Sequence, residues 1–293
     1  MGSPRPGGCY RSAGVQGSVP EFVYDISSGR LALLFMFAAL GAVLTGLLVV
    51  KPILRIFFGT GPDFNQNVNF GSAGFNLFYG LLLGLLTVSA YQNNERVRQA
   101  ILSEATAIGS LYAGMRSYPE PVQSEVQALL RDYVLFTINA DWKAHRQGEI
   151  LDGGDHRAEA VRQRLAAFEP RTDGQIVLHT AMIASYQDFT EARQGRLAGV
   201  ITEIPDVLWY AVLVGALVSV ILFVMLRMRP HQQFLLGTIT SVFLGVILFV
   251  IVSLDDPLRG EQGIGPDALV LLWERQMVWD EGPAWSLAGG ADG

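Results

Sequence analysis

Four stretches of this chain contain no Asp, Glu, Lys, Arg or His: Leu31–Val50, Ala73–Tyr91, Val207–Leu226 and Phe234–Leu254. Each is close to the ~20 residues a helix needs to cross the hydrocarbon layer of a bilayer. A backbone in lipid must satisfy its hydrogen bonds internally, so runs of this kind fold as helices. Arg30, Lys51, Tyr91, Trp209, Tyr210, Arg227 and Arg229 flank them, which is the residue mixture of a membrane–water boundary. The sequence therefore predicts an all-α integral membrane protein with four transmembrane helices. Charged residues make up 16% of the chain, against about 25% in soluble domains. A formal net charge of −6 supplies no basic surface and argues against nucleic acid as a partner. The single cysteine, Cys9, excludes an intrachain disulfide and a Cys-x-x-Cys metal motif.

The spans divide the chain into an irregular tail (1–29), spans one and two (30–91), a long segment (92–206), spans three and four (207–254) and a C-terminal segment (255–293). Gly, Pro and Ser punctuate the tail too often for a regular element. Arg5 and Arg11 precede the first apolar block in the order of a signal peptide. That block exceeds the ~7–15 residues of a cleaved segment, so it reads as a retained span. Four spans place both termini and 92–206 on one side. Near the membrane that side carries Arg30, Arg96, Arg98, Arg193, Arg196 and Arg259, against Lys51, Arg55, Arg227 and Arg229 opposite. The slight excess predicts that this side is cytoplasmic.

Segment 92–206 reads as helices. Val97, Ile101, Ile108, Leu111, Tyr112 and Met115 form one apolar stripe, and Pro119 and Pro121 end it. Val122, Val126, Leu129, Leu130, Tyr133, Ile138 and Trp142 form the next. "HRQGEILDGGDH" reads as a loop, a short helix follows to about Phe168, and a last helix runs from Gln175 towards Ile201. "DALVLLWERQMVW", from Asp267, predicts an amphipathic helix lying on the membrane or on the helical bundle. No alternation predicts a sheet. Between Leu85 and Ile108 there is neither Gly nor Pro, so the second span is expected to continue out of the membrane as one helix from Phe75 to Met115.

Signatures of enzymes are absent: no GxxxxGK[ST], HExxH or GxSxG occurs. His145, His156, His179 and His231 have no partner at ligand spacing, and His179 reads as a partly buried structural residue. No catalytic residue, metal site or cofactor is expected. The spans lack the buried carboxylates and histidines of proton-coupled carriers, leaving a passive pathway or none. On span two, Asn76, Gly80, Gly84, Thr87 and Tyr91 share one side, with Phe75, Phe78, Leu82, Leu86 and Ser89 roughly opposite. The small face serves close helix packing or lines a pore. The Phe/Leu face, repeated round an oligomer, makes a hydrophobic constriction.

"SAGFNLFYGLLLGLLTVSAYQNNERVRQAILSEATAIGSLY", "LLRDYVLFTINADW", "EARQGRLAGVITEIPDVLW" and "LDDPLRG" resemble the bacterial bestrophin-like domain family, from about Leu31 to Arg275. More distantly the layout is similar to bestrophin anion channels. The resemblance implies a homo-oligomer, a pentamer by analogy, in the bacterial inner membrane among lipid. Inorganic anions would pass Phe75, Phe78, Leu82 and Leu86. Arg96, Arg98, Arg193 and Arg196 would lie at the inner mouth, or act as plain positive-inside anchors. Asp255, Asp256, Pro257 and Gly260 would form the turn that ends span four, although Leu258 replaces the family's aromatic and Arg259 precedes the glycine. A helix stop at Pro257 explains the same residues. The long acidic run of the bestrophin calcium clasp is absent. The competing expectation is a non-conducting, membrane-anchored scaffold or sensor.

Overall fold

The computed structural model describes residues 9–10, 27–57, 63–202, 204–259 and 263–278. Four of its helices are long and apolar enough to span a bilayer, beginning at Gly29, Phe64, Asp206 and Pro230. The first is α1 (Ser28–Thr45), which passes through a π-helical turn (Gly46–Val50) into α2 (Lys51–Phe57). In a regular helix the ring of Pro52 would clash with the carbonyl four residues back. The wide turn immediately before it accommodates the proline without ending the helix.

The second span belongs to α3 (Phe64–Gly114), an unbroken helix of 51 residues, about 75 Å long at 1.5 Å per residue. It starts earlier than its apolar run, with a polar first turn containing Asn65, Gln66 and Asn67. Asn65 anchors that start: its amide Nδ2 donates to the Arg227 carbonyl at 2.8 Å, and its Oδ1 accepts from the Arg227 N–H at 3.0 Å. The sequence Gln92-Asn93-Asn94 lies inside the helix, without a joint. A short 3-10 turn, Met115–Ser117, closes it.

The insertion forms a helical lobe outside the spans. It comprises α4 (Val122–Phe136), a π-helical turn (Thr137–Asp141), α5 (Trp142–His145), α6 (Asp152–Ala166) and α7 (Asp173–Ile201). Thr172 caps α7 by accepting from the Gln175 N–H at 3.2 Å, a satisfied N-terminal donor. α7 lies along the second half of α3 in the most extensive helix pairing among the described residues. The chain then returns through α8 (Asp206–Met225) and α9 (Pro230–Asp255), spans three and four. Finally α10 (Asp267–Leu272) docks on the lobe, burying Leu269 and Leu272 in its core beside Ile108 and Leu111. Of the two placements expected for this helix, the bundle is the one adopted.

Two local expectations are corrected. "DGGDH" opens α6 rather than extending a loop, because Asp152 and Asp155 in the first turn complement the helix N-terminus. In the tail expected to be irregular, Cys9–Tyr10 (β1) pairs antiparallel with Ile150–Leu151 (β2), Cys9 opposite Leu151. The remainder of 1–26 lies outside the described residues.

Membrane and lobe are held by different contacts. In the spans, small residues admit close neighbours: a Cβ on Gly245 would meet the Met36 backbone at 2.7 Å, and one on Gly215 would run into the Tyr79 ring. Such approach replaces the hydrophobic drive that is missing between helices in lipid. Gly71, Gly74, Gly80 and Gly84 on α3 have nothing within 4 Å of that position. Gly245→Ala should therefore force α1 from α9 and cost roughly 1–3 kcal/mol, while Gly84→Ala should not destabilise the protomer. Thermal unfolding of both variants in detergent checks the contrast.

Candidate functional site

Because α3 turns about 100° per residue, one of its faces can be followed from membrane to lobe. The inward face carries Tyr79, Leu83, Leu86 and Ala90, then Val97, Ile101, Glu104 and Ile108, all buried. The spans cover its first half and the lobe its second. Among the described residues, nothing covers the opposite face. In the membrane half it presents Phe70, Leu77, Phe78, Leu81, Leu85 and Val88, each more than half exposed. Beyond the span it presents the exposed, uncharged Gln92, Gln99, Ser103, Thr106 and Ser110, with Arg96 and Leu102 exposed at its edges.

The four residues expected to form a constriction are separated by this geometry. Phe78 faces outward and is 72% exposed, whereas Leu86 is 4% exposed. Phe75 and Leu82 are half-buried in the cluster of Leu31, Trp209 and Ile251 with Leu86. The expectation of one free face is corrected: Phe75, Leu82 and Leu86 turn toward α1, α8 and α9. The free stripe is Phe78 with Leu81 and Leu85.

The alternative face also divides. Asn76 and Gly80 line a groove of about 320 Å³ between α3, α8 and α9, where Ser219 Oγ donates to Asn76 Oδ1 at 3.2 Å. Thr87 donates to its own helix at the Leu83 carbonyl, 2.8 Å away, and Gly84 is open.

Among the arginines expected at an inner mouth, Arg96 and Arg98 are exposed on α3 just past the span. Arg193 and Arg196 are not mouth charges, which is a second correction. Arg196 is fully buried and grips Glu104 with two hydrogen bonds, Nε to Oε2 at 2.6 Å and Nη2 to Oε1 at 3.2 Å. A forked pair of this kind satisfies charge and geometry together. Tyr133 OH donates to Glu104 Oε1, and His145 Nδ1 accepts from Arg196 Nη1 at 3.1 Å. Asp141 Oδ2 stands 3.8 Å from Arg196 Nη2. Arg193, at the rim, donates to Asp155 Oδ1 at 2.5 Å. Burial and then the two guanidiniums hold His145 neutral, down to about 3. Burial pushes the Tyr133 hydroxyl up, and neighbouring Glu104 adds to it. Burial alone would lower Arg196, but Glu104 keeps its pKa above the ordinary value.

Sequence reading missed Glu104, Tyr133, Asp141 and His145 as a group. The signal was present on two helices. Glu104 interrupts the apolar stripe of Ile101 and Ile108, and Arg196 interrupts that of Phe189 and Val200. One charge of each sign, each in an apolar stripe, implies that the two meet.

At the end of span four, Asp255 is buried and ties two spans: Oδ1 accepts from the Ile204 N–H at 2.7 Å and Oδ2 from Trp209 Nε1 at 3.2 Å. Asp256 accepts from Arg259 Nη1 at 3.4 Å, and the Pro257 carbonyl accepts from the Ile264 N–H at 2.8 Å. Gly260 lies outside the described residues. His179, expected to be structural, shares a hydrogen bond of 2.9 Å with Tyr118 OH. Among the described residues no group of three or more acidic, His or Cys side chains is arranged to hold a metal.

The Bestrophin-like domain model matches residues 37–269. The chain belongs to the Bestrophin-like family. Its fold is shared with a bacterial bestrophin homologue from Klebsiella pneumoniae: one variant form aligns with TM-score 0.60 and 9% identity, over 83% of this chain and 98% of that one. A second form gives 0.61 and 10%, over 83% and 96%. A structure described as a membrane protein gives 0.62 and 9%, over 83% and 97%. No curated protein matches the chain. Identity this low carries the fold and leaves residue roles to the geometry above.

Removing one partner of a buried pair leaves the other charge uncompensated, at roughly 3–5 kcal/mol. Glu104→Ala should destabilise the lobe by that amount, and Arg96→Ala by less than about 0.5 kcal/mol. Denaturation followed by tryptophan fluorescence measures both, since Trp142 sits in the lobe core.

Proposed function

We propose that the protein is a homo-oligomeric membrane channel for small anions, with α3 of each copy lining a shared axis. The observation that carries this reading is the uncovered face of α3. It is apolar through Phe78, Leu81 and Leu85 and becomes polar but uncharged at Gln99, Ser103, Thr106 and Ser110. A ring of the first group makes a dry constriction that gates by wetting. A ring of the second makes a water-filled vestibule. Family membership supports the reading, and a pentamer follows by analogy.

Arg96 and Arg98, exposed where α3 leaves the span, would raise the local anion concentration at the vestibule. The lobe and both termini are assigned to the cytoplasmic side of the bacterial inner membrane. With Arg193 and Arg196 buried, four basic residues remain near each membrane face, so this orientation rests on the family. The proposed units are spans one and two (30–91), the lobe (92–206), spans three and four (207–254) and the C-terminal segment that seals the lobe.

Purified protein in planar bilayers under a potassium chloride gradient should reverse near the chloride potential. Phe78→Ala and Leu85→Ala should each raise the conductance by widening the constriction. Leu86→Ala should instead cost roughly 2–5 kcal/mol of fold stability, because that side chain is packed within its own chain. Silence of the wild type and both outward variants, with a monomeric mass in native detergent, would replace the channel by a membrane-anchored scaffold.

A further inference from the structure

Six buried side-chain atoms have no hydrogen-bond partner among the described residues, and all lie in one place. They are Thr137 Oγ1, both carboxylate oxygens of Asp141, His145 Nε2, and Nε and Nη2 of Arg193. Gly154 packs directly on two of them: a Cβ there would meet Arg193 Nη2 at 2.9 Å and Asp141 Oδ2 at 3.0 Å. The π-helical turn Thr137–Asp141 and the start of α6 form one wall, and α7 the other.

Within this cluster Asp141 is the carboxylate least committed to its charge. Glu104 is gripped by Arg196 and Tyr133. Asp155 is paired with Arg193 and reaches solvent. Asp141 is 1% exposed and accepts from no donor on either oxygen. A carboxylate so placed pays desolvation without hydrogen bonds in return. Among the described residues, the charged groups acting on it are Glu104 from α3, Asp155 from α6, and Arg193 and Arg196 from α7; His145 from α5 and Tyr133 from α4 connect to it through Arg196.

We propose that Asp141 is a proton-binding site, and that its protonation tightens the grip of α7 on the long helix α3. The ionised carboxylate, with Oδ2 3.8 Å from Arg196 Nη2, competes with Glu104 for that guanidinium. Proton uptake neutralises the competitor and leaves Arg196 wholly to Glu104. The proton moves from bulk water to a carboxylate oxygen, and no other bond is made or broken.

The direction of the pH dependence follows. Burial raises Asp141 to about 6, against the pull of Arg196 and Arg193 and with the help of Glu104 and Asp155. A carboxyl raised in the folded state stabilises it when protonated, and this contribution is lost as pH rises through about 6. Since α3 carries the uncovered face, the same proton would bias the pore. That consequence rests on the channel reading; the proton site itself does not.

The test is amide hydrogen exchange of Ile101–Ile108 in the intact protein in detergent, corrected for intrinsic rates. Between about pH 7.5 and 5, protection in the wild type should rise by about tenfold through this site. Asp141→Asn, a neutral isostere, should hold the acid-state protection throughout. His145→Gln should retain the wild-type dependence. Infrared spectroscopy supplies a second reading: a buried carboxylic-acid band should grow in as pH falls through about 6 and be missing from Asp141→Asn. A wild-type band that never appears, or an Asp141→Asn protein with unchanged pH dependence, overturns the proposal. Neither measurement requires conduction, so a silent bilayer alongside a positive infrared result would remove the channel and keep the proton site.

Discussion

The structure depends on one helix that keeps its hydrogen bonds while its solvent changes. Between its end turns, the backbone donors and acceptors of α3 are met within the helix, so the step from lipid to water costs no reorganisation. What changes at the boundary is the side-chain chemistry. The buried face stays on one side throughout, from Tyr79 and Leu83 to Ile101 and Ile108. Both the remaining spans and the lobe therefore pack on the same side. Among the described residues the other face stays free from Phe70 to Ser110, and the proposed function grows from that asymmetry.

The two halves are fastened differently because lipid and water reward different contacts. Between spans, burying one apolar surface against another gains little over lipid, and close approach at Gly215 and Gly245 does the work. In the lobe, a hydrophobic core built around Ile108, Leu130, Phe189 and Leu269 supplies cohesion. The Arg196–Glu104 pair adds selectivity of register more than net energy, since its desolvation offsets much of its attraction. A slip of α7 along α3 by one turn would strand both charges in apolar surroundings.

The fold is shared with the solved structures at an identity of only 9 to 10%, while the family rests on the Bestrophin-like domain match over residues 37–269. The uncovered face and the buried ion network are therefore properties to be argued from this chain's own residues. The groove of about 320 Å³ between α3, α8 and α9 remains inside the membrane half, lined by Asn76 and Ser219, which bond to each other.

By itself the sequence determined the four spans, the continuity of the second into the lobe, the helical stripes and the family. Each is a local matter: uncharged length, absence of Gly and Pro between Leu85 and Ile108, and spacing along one helix. It also marked Asp255–Pro257 as the end of span four. Tertiary structure alone decided which face of α3 is free, because Phe75, Phe78, Leu82 and Leu86 are equally apolar and only the neighbours of each tell them apart. It decided too that Arg193 and Arg196 are buried while Arg96 and Arg98 are not. Four arginines look alike in sequence; their partners, Glu104 and Asp155, come from helices distant along the chain. A charge interrupting an apolar stripe signals locally that Glu104 and Arg196 need partners, but which groups pair, and that Arg193 takes Asp155, is a property of the packed bundle.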